Sequence, residues 1–240
     1  EALDYAEEKI PPSDRDVMIW IKMGQANDAL GMTEKALACY LVSWRMNPND
    51  YNALLGAAKV YNKLGQPDNA INMAKKALEI NFTAEASWEY ARACIALNRS
   101  PEAKKALEKV LQADSGNAIA NRELGNIYYN EKSWARAIPL LKKIYKSAPD
   151  GELAYRIGKC YVESGVADSA LAYLKIARDK GGRTDVSLEL ARAYYGQKNY
   201  KSAAAEYDKV AGADMTAEDF YKMGVSIEKN GDKAAALNSF

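Results

Sequence analysis

Apolar positions along this chain recur at the helical period, and they come in pairs of amphipathic runs. The stretch from Asn117 to Asp150 shows the pattern in its plainest form. In its first run Leu124, Gly125 and Tyr128 share one face, at i, i+1 and i+4. In its second run Ala137, Leu141 and Ile144 recur at i, i+4 and i+7, while Lys142, Lys143 and Lys146 fall on the water side. A short polar turn joins the two runs, and Pro149 follows the second. The pattern predicts a helical hairpin.

The hairpin returns along the whole chain. The alanine of the second helix recurs as Ala36, Ala70, Ala103, Ala137, Ala170, Ala203 and Ala236, in steps of 33 or 34 residues. A second series keeps the same register: Gly24, Gly125, Gly158 and Gly224 each follow a large apolar residue, and Ala58 and Ala191 take the same small slot in two further units. A small residue there lets two helix backbones approach closely. Gly31, Gly65, Gly165 and Gly231 fall in the turn between the helices, the usual place for a glycine after a helix C-terminus.

The word Leu124-Gly125, then Tyr128, Ala137 and Pro149, resembles the tetratricopeptide repeat, whose period is about 34 residues. The resemblance covers nearly the whole chain. It implies an all-α fold: one right-handed superhelical solenoid of tandem helix-turn-helix hairpins, with the first helix of each unit on the concave side. The units read as 17–50, 51–84, 85–117, 118–150, 151–183, 184–216 and a shortened 217–240, with 1–12 as the end of a preceding repeat. Glu1 opens inside a helical pattern and the chain stops at Phe240 within another, so a fragment of a longer array is expected.

Local features refine the reading. Ser13-Asp14-Arg15-Asp16 and Thr216 with Asp219 resemble capping boxes. Asn27 stands where the family usually carries an aromatic, and Pro139 is expected to bend the start of its helix. The third unit departs most: Arg92 stands in the small slot, and the turn at Asn98 to Ser100 reads one residue short. Slightly irregular stacking of the second and third units is therefore expected, with opening beginning in the third unit or at the ends.

Composition excludes more than it assigns. The 240 residues carry a formal net charge of +1, which sets up no strong field toward nucleic acid or a membrane surface. No apolar run approaches the ~20 residues that span a bilayer. The chain has no His, which removes His-based acid–base pairs, nucleophile systems and His metal ligands. Phosphate loops, zinc spacings and Ca²⁺ loops are missing too. No enzyme, cofactor or metal is expected. Cys39, Cys94 and Cys160 lie in the first, third and fifth units, too far apart in a solenoid to pair. Free thiols lean towards a reducing compartment, though oxidising ones also hold unpaired Cys.

A protein-interaction scaffold is what remains: an array that holds a peptide or a partner protein in its concave groove. The alternative is a docking or regulatory arm of a longer enzyme or of a secretion or assembly complex. Three rows repeat every 33 residues off the core stripe: Arg122, Tyr155 and Leu188; Asn126, Lys159 and Arg192; and Tyr129, Val162 and Tyr195. Packing is not expected to demand these side chains, and the resemblance puts them on the concave wall. They would make a basic strip edged by aromatics, suited to a peptide with acidic residues. Glu123, Glu152, Glu163, Asp185 and Glu189 flank the strip and argue against nucleic acid. The carboxylate clamp of chaperone-binding relatives is matched by Arg122 and Asn126 but broken by Arg156, Asp185 and Glu189. Self-association through exposed solenoid ends is also expected.

Overall fold

A computed structural model describes residues 9–11, 15–181 and 186–237. Fourteen α-helices follow one another among the described residues. They are α1 Val17–Ala29, α2 Thr33–Met46, α3 Tyr51–Lys63, α4 Pro67–Ile80, α5 Ala84–Ala96, α6 Ser100–Ala113 and α7 Ala118–Asn130. Then come α8 Trp134–Ser147, α9 Gly151–Glu163, α10 Ala167–Asp179, α11 Val186–Gly196, α12 Tyr200–Tyr207, α13 Ala217–Lys229 and α14 Lys233–Leu237. A 3-10 turn, Gly212–Asp214, follows the short α12. The fold is an all-α helical-repeat solenoid. By packing the chain divides into two compact units, residues 1–120 and 121–240.

Each hairpin is specified locally at three points. The first, in six of the hairpins, is a side-chain cap at the start of the first helix. Asp16, Asp50, Thr83, Asn117 and Asp150 each accept the backbone N–H three residues on. Thr216 does the same in a reciprocal box with Asp219. Such a cap satisfies one of the four orphan N–H groups and contributes about 1 kcal/mol. Asp16 is the residue that caps α1; Ser13, Asp14 and the expected helix over 1–8 lie outside the described residues.

The second point is the turn. After every first helix one residue takes positive φ: Gly31, Gly65, Asn98, Lys132, Gly165, Lys198 and Gly231. The next N–H reaches back to close the helix end, as from Met32 to the Asn27 carbonyl at 2.8 Å and from Ser133 to the Tyr128 carbonyl at 2.8 Å. This Schellman closure turns the chain by a fixed amount.

The third point is the crossing of the two helices. Equivalent positions of the first helices hold Gly24, Ala58, Ala91, Gly125, Gly158, Ala191 and Gly224. Where the residue is glycine the second helix brings up a large side chain. A Cβ on Gly158 would stand 2.6 Å from Leu174 Cγ, and one on Gly24 2.8 Å from Tyr40 Cε1. The alanines at the fourth place of the second helices are fully buried, from Ala36 through Ala203. Cys39, Cys94 and Cys160 are buried thiols rather than disulfides.

The third hairpin corrects the sequence reading. Helix α5 starts at Ala84, one residue earlier than expected, because Thr83 caps it. Ala91, fully buried, therefore holds the small slot, and Arg92 turns outward to lie 3.8 Å from Glu89. The turn has the same three residues as the others, with Asn98 in the left-handed place that glycine fills elsewhere. The grounds for irregular stacking there are gone. Asn27 replaces an aromatic by burying its amide, which donates to the Met23 carbonyl at 2.9 Å. Pro139 sits at the sixth residue of α8, inside an unbroken helix rather than at its first turn.

Two outcomes follow from these constraints. Lys132 and Lys198 hold left-handed conformations that cost an L side chain free energy. Lys132→Gly and Lys198→Gly should each raise stability in urea unfolding by about 1 kcal/mol, after glycine's own entropy cost is deducted. A fall in the midpoint of either variant would contradict the turn geometry. Gly158→Val forces branched carbon atoms into Leu174 and should cost about 2 kcal/mol or more. An unchanged melting temperature would show that the crossing is looser than described.

Candidate functional site

The expected site lies in unit 2, on the first helices α7, α9, α11 and α13. Within this unit α9 packs against α11, and α11 against α13, so the first helices form a layer of their own. The predicted residues divide into two groups there.

Five of them remain at least partly accessible. Arg122 is exposed, while Asn126, Tyr129 and Lys159 are half-buried. Arg156 ties them together from α9. Its Nη1 donates to Asn126 Oδ1 at 2.9 Å, its Nε pairs with Glu152 Oε1 at 2.9 Å, and its guanidinium lies 5.5 Å from the Tyr129 ring centre. The Tyr129 ring also meets Trp134 edge-on at 5.5 Å. Burial pushes the Tyr129 phenol up to about 12, so it stays protonated and can donate. At the far end Tyr195 is half-buried, edge-on to Tyr200 and 5.9 Å from Lys222 Nζ.

The other three are structural, contrary to the expectation that packing would not demand them. Tyr155 is 2% exposed and Leu188 8% exposed, each inside a core cluster. Arg192 is 16% exposed and bidentate to Asp219: Nε to Oδ1 and Nη2 to Oδ2, both at 2.7 Å. Its Nη1 also reaches Glu189 Oε1 at 3.2 Å, and Lys159 Nζ reaches the same oxygen at 3.2 Å. Val162, in the third row, packs on a core cluster as well.

The basic strip is thus largely neutralised from within. Glu189, read from sequence as a flanking residue, lies between two of its cations at 2% exposure. Burial raises the Glu189 pKa, and Arg192 and Lys159 oppose that rise. Asp219, 1% exposed, would be raised by burial too. Hydrogen bonds from Arg192 and Thr216 outweigh burial and hold its pKa down at about 2. The hydrogen bond to Asp219 in turn raises the Arg192 pKa. No periodic signal announced Asp219, because its position in the other repeats carries apolar residues such as Ala120 and Leu153.

Arg122 is different. It carries no ion pair or hydrogen bond to a described residue. It stands at the mouth of a cleft of about 420 Å³ lined by Arg122, Asn126, Leu141, Ile144, Leu153 and Arg156, with Asp150 and Glu152 at the rim. The floor is apolar and the mouth polar, a composition typical of pockets that take a side chain or small group. Sequence reading put Arg122 and Asn126 here, and it missed the floor because those residues belong to the core stripe. Unit 1 has a cleft of its own, about 500 Å³, lined by Trp88, Leu107, Val110, Ile119 and Ala120 among others. Among the described residues no group of His, Cys, Asp and Glu could hold a metal ion. No described helix is long and apolar enough to cross a membrane.

The Arg192–Asp219 pair sets a pH dependence. An Asp held at about 2 in the folded chain and near 3.9 when unfolded contributes stability that is present above pH ~4 and lost as pH falls towards 2. The contribution is about 2 kcal/mol. The raised Glu189 acts in the opposite sense, its cost being relieved as it protonates. Asp219→Asn should therefore be less stable at pH 7 and should lose part of the decline between pH 4 and pH 2. Parallel acid-unfolding curves for the two proteins would count against this.

Comparison with known proteins places this geometry. The family model described as tetratricopeptide repeat matches residues 89–152 and 155–218, together more than half of the chain. The model for anaphase-promoting complex, cyclosome, subunit 3 matches residues 22–110. No curated protein matches. Among solved structures, MamA protein is similar at 26% identity and a TM-score of 0.61, covering 68% of this chain and 91% of that one. YrrB, described as a TPR protein with an unusual peptide-binding site, is similar at 20% identity and a TM-score of 0.64, covering 82% and 98%. PilF of Pseudomonas aeruginosa is similar at 17% and 0.57, covering 100% and 98%. The last two likenesses speak for the fold alone. With its repeated register of caps, turns and crossings, and with the family model matched over most of hairpins three to six, the chain belongs to the tetratricopeptide repeat family.

Proposed function

We propose that this protein-interaction repeat scaffold binds an extended peptide segment of a partner protein along the first-helix face of unit 2. The segment lies across Arg122, Asn126 and Tyr129 on α7, Lys159 on α9 and Tyr195 on α11. The observation that carries the reading is the state of the charges. Lys159, Arg192 and Arg156 are committed to Glu189, Asp219 and Glu152, whereas Arg122 is exposed beside an apolar-floored cleft with no described partner. A committed cation stiffens the face; an uncommitted one is available to a ligand carboxylate. The half-buried aromatics add contact area with few rotamers to freeze, which lowers the entropy cost of binding. The role is non-catalytic: the chain has no His, and the three thiols are buried. Tetratricopeptide membership supports the class of function, and the acidic character of the segment rests on Arg122.

Photo-crosslinking tests the placement. A dodecapeptide enriched from a random displayed library on the full chain is made with a benzophenone side chain. Crosslinks are expected within 122–129, 156–163 and 192–195. The double variant Tyr129→Ala, Tyr195→Ala should weaken the same peptide about tenfold, or ~1.4 kcal/mol. Crosslinks confined to the outer residues of second helices, such as Lys142 and Lys146, would overturn the reading. Failure of any peptide to enrich would do the same.

A further inference from the structure

The repeat supplies an internal comparison for the cleft at Arg122. Residues 33 positions apart are equivalent, so Arg122, Leu141, Ile144 and Leu153 correspond to Tyr155, Leu174, Ala177 and Val186. Those last four belong to one buried cluster, in which Tyr155 is 2% exposed. One repeat on, therefore, a tyrosine ring of the protein itself shares a buried cluster with the equivalents of the cleft-floor residues. Lys159, equivalent to Asn126, places its Nζ 6.0 Å from that ring's centre. At Arg122 the floor stays apolar, with Leu141 matching Leu174 and the larger Ile144 and Leu153 in the places of Ala177 and Val186, but the ring is missing. An outward-facing guanidinium stands in its place, and about 420 Å³ is open.

The fold thus shows what its own floor accepts. Resting on the peptide-binding reading above, we propose that this cleft is a subsite for an aromatic side chain, Tyr or Phe, of the partner peptide. An Asp or Glu within two positions of it is held by Arg122. Two physical terms select the aromatic. Burying a ring against Leu141, Ile144 and Leu153 removes apolar surface from water. Arg122 and Arg156 both stand at the mouth, where a guanidinium over a ring face adds a cation–π attraction. Charge selects the acidic neighbour. At the rim the Asp150 carboxylate accepts the Leu153 N–H at 2.7 Å and Glu152 pairs with Arg156 at 2.9 Å, which leaves the charge of Arg122 to a ligand.

The test uses the full chain and peptides enriched on it from a random dodecapeptide library, labelled with fluorescein for anisotropy. Enriched peptides should share one aromatic with Asp or Glu within two positions. Changing that aromatic to Ala should weaken binding at least tenfold. Changing the acidic residue to its amide should weaken binding to wild type but not to Arg122→Gln. In Arg122→Tyr the protein's own ring takes the cleft, as it does at Tyr155. That variant should melt no lower than wild type and bind the peptide at least tenfold more weakly, a larger loss than in Arg122→Gln. If its melting temperature falls, Leu153→Trp fills the cleft from the other wall and should give the same loss. Enriched peptides that lack an aromatic, or that bind both filled-cleft variants as tightly as wild type, overturn the subsite while leaving the groove in place. Enrichment of no peptide at all overturns the groove reading itself.

Discussion

Two helices can touch closely only where one of them lacks a side chain, and every hairpin of this chain is built on that restriction. The small slot of the first helix holds only glycine or alanine, from Gly24 to Gly224, and at Gly24, Gly125 and Gly158 the eighth residue of the second helix comes up against it. Where the first is glycine, as at Gly24, Gly125 and Gly158, the second is Tyr40, Leu141 or Leu174. Packed interiors have little spare volume, so the size of one residue dictates that of the other. The crossing fixes the distance between the helices, the positive-φ turn fixes their angle, and the next hairpin must then stack on the apolar face that remains. A single hairpin cannot bury that face alone, which is why the unit repeats.

The face opposite the crossings is governed by electrostatics instead. Adjacent first helices of unit 2 are bolted by polar links: Arg156 to Asn126, Lys159 to Glu189 and Arg192 to Asp219. Unit 1 has links of the same kind, Lys63 to Asp28 and Asn62 to Glu89. A buried carboxylate such as Asp219 is tolerable only because Arg192 meets both of its oxygens. The result is a stiff face whose charges are mostly spent on itself. What this leaves accessible is above all Arg122 and the edges of Tyr129 and Tyr195.

On this face three of four cations, Arg156, Lys159 and Arg192, are neutralised by carboxylates of the chain itself. Counting Lys and Arg along the repeat overstates the field that a ligand meets, because the neutralising acids sit at other places in the repeat. Glu189 is three residues before Arg192 on the same helix, and Asp219 is on the next first helix. Conversely, the one cation with no described partner owes that state to what surrounds it: Asp150 and Glu152 are already occupied by a helix N-terminus and by Arg156.

The sequence alone determined the hairpin, its period, the buried alanines, the small slot and the glycine turns, because each is a local requirement of backbone geometry that the same residue type meets in every repeat. It misled where the requirement was met by a different residue. Asn98, Lys132 and Lys198 take the left-handed place without being glycine, and Thr83 moved the start of α5 so that Ala91, not Arg92, met the crossing. Period also separated the rows of the first-helix face from the core stripe. Only the tertiary structure decided which members of those rows are free. Tyr155 and Leu188 went into the core, and Arg192 was drawn under Asp219. Burial and ion pairing depend on residues that lie 27 to 30 positions away yet share a contact. No one-dimensional period carries that information, since the partner residue need not itself repeat.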